Sequence, residues 1–104
     1  MLDIIETTVF NKWLKELKDL SAKAAILARI SRAKSGNFGD HKSVGDGLYE
    51  MRIMKGAGYR VYYAQYKDIT YLLICGGDKS TQKANIAKAK ALWEEIKQKE
   101  GVNV

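Results

Sequence analysis

The sequence predicts an α+β fold: an N-terminal helical hairpin packed on a small antiparallel sheet, with a C-terminal helix. Three observations predict it. Phe10, Trp13, Leu14 and Leu17 recur at helical spacing. Three aromatic and β-branched runs follow one another, "LYEMRIM", "YRVYYAQY" and "ITYLLICGG", parted only by "KGAG" and "KD". Ile86, Ala89, Trp93 and Ile96 then return to helical spacing. Helices that precede a strand meander, rather than alternate with strands, indicate α+β and not a parallel α/β fold. With 104 residues the chain is expected to form a single domain over 1–104.

Taken in order, "LDIIE" (2–6) predicts a short strand. "TTVFNKWLKELKDL" predicts a helix that Thr7 or Thr8 caps. Ser21 is placed to cap a second helix, "AKAAILARISRAK", whose apolar side holds Ile26, Ile30 and Ala33 and which Gly36 stops. "SGNFGDHKSVGDG" reads as a polar loop of about a dozen residues, and loops of that length are often functional. Residues 48–54, 59–66 and 69–77 predict consecutive antiparallel hairpins. "STQKANIAKAKALWEEIKQKE" predicts the last helix.

Charge narrows the partners. Eighteen Lys and Arg stand against twelve Asp and Glu, a net charge of +6. A surplus of this kind suits nucleic acid, and equally an acidic protein or mere solubility. The single cysteine, Cys75, excludes an intrachain disulfide and a cysteine zinc site. It lies in an apolar run, as a small core residue would. "MLDIIETTVF" has no basic segment of the kind that opens a signal peptide, and no run approaches the ~20 apolar residues of a membrane span. A cytoplasmic protein without a membrane role is expected.

Alternate residues of a strand share a face. Along 48–54 the more apolar set, Tyr49, Met51 and Ile53, is expected to face the helices, leaving Glu50 and Arg52 outward. Arg60 and Tyr62 share a face along 59–66. An unpaired buried arginine is costly, so Arg60 is expected on the same open face as Arg52. Two guanidiniums beside a tyrosine suit phosphate oxygens and a splayed base. A cross-strand Glu50–Arg60 ion pair on a solvated sheet accounts for the same residues. In "CGGDKSTQ" (75–82) the glycines would let the chain leave its strand by an unusual path. Asp78, Lys79, Ser80, Thr81 and Gln82 then gather at a helix N-terminus, which favours anions. Plain capping by Ser80 or Thr81, with Asp78 set against the dipole, explains them too. The segment lacks Walker spacing. His41 is the only histidine and sits in the Gly-rich loop, where an exposed side chain without a role accounts for it. No acidic cluster has metal-ligand spacing, and no metal or cofactor is expected.

"GNFGDHKSVGDGLYEMRI", "GAGYRVYY" and "LLICGGDKSTQKANIAKAKALWEEI" together resemble the RelE/ParE toxin superfamily. Within it they resemble the HigB-like branch of phage-derived or addiction-module killer proteins. The resemblance implies a type II toxin that arrests translation as a metal-independent, ribosome-dependent mRNA endonuclease. It implies catalytic roles for Arg60, through the "GYR" register, for Arg52 on the preceding strand and for Lys79 after the last one. Glu50 joins them as the nearest candidate base by strand geometry. Tyr62, Lys55, Lys42 and His41 make up the implied RNA-binding set. The implied partners are mRNA on the ribosome and a cognate antitoxin of helix-turn-helix type, with operator DNA bound only through the toxin–antitoxin complex. No Tyr or His follows Tyr71, although relatives place one near the final segment. The alternative is therefore a ParE-like toxin that inhibits DNA gyrase by binding it, without nuclease activity. A third reading is an inactive remnant.

Overall fold

A computed structural model describes residues 1–100. The elements run β1 (Asp3–Glu6), α1 (Thr8–Glu16), α2 (Leu20–Lys34), β2 (His41–Gly45), β3 (Leu48–Ile53), β4 (Tyr59–Lys67), β5 (Thr70–Gly77), a 3-10 turn (Lys79–Thr81) and α3 (Gln82–Glu100). The α+β expectation is met, with two differences in the sheet. It has five strands in the order β1-β5-β4-β3-β2, and β1 pairs with β5 in parallel, so the sheet is mixed. The second difference lies in the stretch read as a loop. His41–Gly45 forms an antiparallel edge strand on β3, with a register shift between Ser43 and Gly45.

The helical hairpin is built by its caps. The Thr7 hydroxyl accepts from Phe10 N at 3.1 Å and donates to Ile74 O at 2.6 Å, so one side chain both starts α1 and fastens it to β5. α1 ends at Glu16, sooner than its apolar spacing suggests, because Asp19 captures Ala22 N at 3.0 Å and starts α2 at Leu20. Asp19, not Ser21, is the second cap. Gly36, at φ +91°, closes α2.

Both faces of the sheet are covered, which corrects the expectation of an open one. Phe10 and Leu14 of α1 and Ile26, Ile30 and Ala33 of α2 pack on Met51, Ile53, Val61, Tyr63 and Leu73. Ala89 and Trp93 of α3 pack on the other face, against Leu48, Tyr62, Ala64, Leu72, Ile74 and Cys75. Met51 and Ile53 do face the hairpin, but Tyr49, from the same alternating set, stays 37% exposed. Glu50 is fully buried and Arg60 is 6% exposed, both on the α3 side.

Close packing, and not an unusual backbone path, explains Gly76 and Gly77. Both lie within β5, and neither has a positive φ. A Cβ on Gly76 would overlap the Trp13 ring, and one on Gly77 would overlap the Asn85 amide. The two glycines let α1 and α3 seat against β5 from opposite faces. Cys75 beside them is buried, and burial pushes its thiol up to about 11, as suits a core residue. No helix among the described residues is long and apolar enough to cross a membrane.

Candidate functional site

β3 and β4 pair so that Glu50 lies opposite Tyr62 and Arg52 opposite Arg60. Opposed residues share a face, so Glu50, Tyr62 and Arg60 converge beneath the start of α3. Gln82, the first residue of α3, donates from Nε2 to Glu50 Oε2 at 2.7 Å. The Tyr62 hydroxyl donates to the same oxygen at 3.3 Å. Arg60 Nε stands 3.8 Å from it, close enough for charge attraction but too far for a hydrogen bond. Glu50 Oε1 and Arg60 Nε are buried without a hydrogen-bond partner among the described residues. Buried polar groups are nearly always paired, so these two atoms retain unused hydrogen-bonding capacity. Burial first, then the charge of Glu50, pushes the Tyr62 hydroxyl up; it stays a proton donor at neutral pH.

The turn between β3 and β4 brings Lys79 to the cluster. Arg60 Nη1 donates to Gly58 O at 2.5 Å. Gly58 has φ +76°, and a Cβ there would press on Arg60 Nη1 at 3.3 Å and on Lys79 Cβ at 3.4 Å. The exposed Lys79 therefore lies across Gly58 from the Arg60 guanidinium, with its Cβ close to the turn. Lys55, in the same turn, is exposed as well.

Other expected members are placed differently. Arg52 lies opposite Arg60, but its guanidinium turns to Asp40, donating from Nε at 3.2 Å and from Nη2 at 2.7 Å. Tyr62 is wholly buried, so its ring offers no face on which a base could stack. Its role is to hold Glu50. Lys42 pairs with Glu50 in register on the edge strand and is exposed. His41 pairs with Met51, whose side chain lies on the hairpin side, away from the Glu50 cluster. The Glu50 carboxylate is enclosed and touches Tyr62, Gln82 and Arg60. That contact set suits a counter-ion that orients Arg60 better than a base that must reach substrate. Among the described residues no group of three or more His, Cys, Asp or Glu could hold a metal ion.

The sequence places Gln82 among the residues gathered at the start of the last helix, but not against Glu50. A glutamine in the first turn of a helix is unremarkable, and only the packing of α3 on β3 aims it at Glu50. The cap before it also differs from expectation. Asp78, and not Ser80 or Thr81, caps the 3-10 turn, accepting from Ser80 N at 2.9 Å and Thr81 N at 3.3 Å while Thr81 completes a capping box. The Ser80 hydroxyl and these N–H groups hold the Asp78 carboxyl below its usual range. A depressed carboxyl contributes stability above its unfolded pKa and loses it as pH falls through the folded one. Asp78→Ala is expected to cost about 1 kcal/mol at neutral pH. The difference from wild type should shrink as acid brings the pH below the ordinary aspartate value, as urea melts along a pH series would register.

The family described as "Phage derived protein Gp49-like (DUF891)" matches residues 12–94. A Haemophilus influenzae protein described as an uncharacterized protein is 52% identical over 95 residues, covering 91% of this chain and 96% of its own. No solved structure matches the chain significantly. The family match spans the second half of α1, all of α2, every strand from β2 to β5, and the whole Glu50–Arg60–Tyr62–Gln82 cluster together with Lys79. The chain therefore belongs to the Gp49-like family of phage-derived proteins, a RelE/HigB-like family of toxin–antitoxin modules.

Proposed function

We propose that the protein is the toxin of a type II toxin–antitoxin module and cleaves mRNA on the ribosome without a metal. The observation that carries this reading is the buried Glu50–Arg60 ion pair beside an exposed cation: Glu50 Oε1 and Arg60 Nε have no hydrogen-bond partner among the described residues, and Lys79 lies across Gly58 from the guanidinium. In this reading the RNA's own 2′-hydroxyl gives up its proton to water and attacks the adjacent phosphorus in line, forming a 2′,3′-cyclic phosphate as the bond to the 5′-oxygen breaks. Arg60 stabilises charge building on the phosphate oxygens, usually the largest single contribution in such reactions. Glu50 holds the guanidinium in place, with Tyr62 and Gln82 fixing the carboxylate in turn. Lys79 holds the phosphate and delivers a proton to the departing 5′-oxygen. The arginines act only through charge, since a guanidinium with a pKa above about 12 is a poor proton shuttle. Arg52 joins them only by leaving Asp40. The exposed Lys42 and Lys55 contribute to RNA attraction. The expected partners remain a helix-turn-helix antitoxin and, through it, operator DNA.

The test is cell-free translation with purified protein, mapping mRNA 5′ ends by primer extension. New ends at ribosome-positioned codons, lost in Arg60→Ala, are expected. Intact mRNA would overturn the nuclease reading. Growth arrest with intact mRNA would favour a ParE-like inhibitor that binds gyrase. Two features speak for that second reading: Arg60 is only 6% exposed, and Arg52 is already paired with Asp40.

A further inference from the structure

The hairpin side of the sheet carries a second feature, which the Glu50 cluster does not use. Beyond the helices a row of rings crosses four strands: His41 of β2, Tyr49 of β3, Tyr63 of β4 and Tyr71 of β5. Phe38, from the segment after α2, lies over them, and Gln65 of β4 completes the wall. Together they line an open pocket of about 220 Å³. Drug-sized ligands take pockets of at least about 300 Å³, so this one suits a single planar ring system.

The pocket is built rather than incidental. Phe38 stacks on Tyr63 with centroids 4.7 Å apart and planes 5° from parallel, and Tyr49 stacks on Tyr63 at 5.6 Å. Arg29 of α2 fixes the segment that carries Phe38, donating to Phe38 O at 2.9 Å, Asp40 O at 3.2 Å and Arg52 O at 2.6 Å. Gly39, at φ +66°, is required beneath that guanidinium, because a Cβ would come within 2.7 Å of Arg29 Nη2. Ordering these rings therefore costs little when a ligand enters. Tyr49 and His41 are nonetheless exposed, while Phe38 and Tyr71, packed against the hairpin core, are only partly covered.

The polar edges and the charge narrow the occupant. Gln65 Nε2 is spent on Asp68 O at 2.9 Å, which leaves its Oε1 to accept. His41 Nδ1 faces Gly39 O at 2.7 Å; in the neutral ring it carries the proton, and Nε2 is left to accept. Acceptors around stacked rings fit the amino groups of a base. A ring-lined cage also attracts cations. Here Arg29 and Arg32 lie on the α2 side, Asp40 is paired with Arg52, and the chain carries +6 overall. That field opposes a cationic guest and draws in a phosphate backbone.

We propose that this pocket binds a nucleobase of a single-stranded nucleic acid, as a subsite separate from the Glu50–Arg60 cluster. The proposal does not depend on whether the strand is cut. The probe is a short oligonucleotide carrying 2-aminopurine, made once as 2′-O-methyl RNA and once as DNA, so that neither is cleaved by 2′-hydroxyl attack. Stacking quenches the fluorophore. Wild type is expected to quench it, and Tyr49→Ala to weaken binding by about 5- to 100-fold, the range for a lost base–aromatic stack. His41→Ala, at an exposed edge position, is a second variant with little risk to the fold. Tyr49→Phe should keep the quench. Quenching with the RNA probe alone, with DNA alone or with both supports the proposal and identifies the strand. No quenching by wild type, or equal affinity in the folded Tyr49→Ala protein, overturns it and leaves the pocket to a side chain of a protein partner. Quenching that vanishes with Arg60→Lys but survives Tyr49→Ala overturns it as well, while leaving the Arg60 reading in place.

Discussion

Arg60→Ala is expected to unfold at markedly lower urea than wild type, with a loss of about 3–5 kcal/mol, because removing one partner of a buried pair strands the other charge. Glu50 would keep its bonds from Tyr62 and Gln82, which places the loss toward the lower end. Its charge would have no cation within reach in a fully buried position. Adding Glu50→Gln to Arg60→Ala should therefore recover part of the stability, since the amide carries no charge to strand. If the double variant is less stable than Arg60→Ala by the full cost of Glu50→Gln alone, the two residues are not coupled and the pair is not what holds this end of the sheet. Function separates from stability in Arg60→Lys, which keeps the charge but loses the planar fork. Assayed where it is folded, it should retain most of the stability and lose about 10²–10³-fold in mRNA cleavage, the usual cost of removing one transition-state donor.

The second large effect is expected at Gly76. Its Cα hydrogen faces the Trp13 ring so closely that an added methyl overlaps ring carbons. Trp13 is itself braced by Phe10, at 5.7 Å between centroids, and by Tyr59, at 6.3 Å. To admit the methyl the half-buried ring must shift away from β5 and loosen these contacts, and overpacking of this kind costs about 1–3 kcal/mol. Gly76→Ala should lower the thermal midpoint accordingly. The same substitution in a Trp13→Leu background should cost much less, because the smaller side chain leaves space for the methyl. Equal losses in the two backgrounds would assign the role of Gly76 to its backbone instead of to close approach.

The helices were legible because their apolar residues alone define them: Phe10 and Leu14, Ile26 and Ile30, Ala89 and Trp93 all reach the core. β2 was not, because "HKSVG" is an exposed edge with no alternation to detect, held by main-chain bonds to β3. The two sides of β3 were misjudged for a related reason. Leu48 and Glu50 share a face with Arg52, and the two charges outweighed the leucine. α3, docking from the far end of the chain, buries that side all the same. Arg60 and Glu50 could be named as partners from strand geometry, but not their enclosure, which depends on where Gln82 lands. The Tyr49–Tyr63–Phe38 row escaped notice because Phe38 belongs to no strand, and only Arg29 places it.

The parallel pairing of β1 with β5, Asp3 against Thr70, sets a timetable for synthesis. The first strand to leave the ribosome has only the last strand as its neighbour. α1 also leans mainly on β5, through Thr7 and the Gly76–Trp13 contact. Until residues 70–77 emerge, β1 has no strand to pair with and α1 lacks its fastening through Thr7 and Gly76. Loops this long close slowly compared with local hairpins. A translation product cut short before Thr70 would hold every residue of the hairpin and of β2 to β4, and still lack the strand that joins the two ends of the chain.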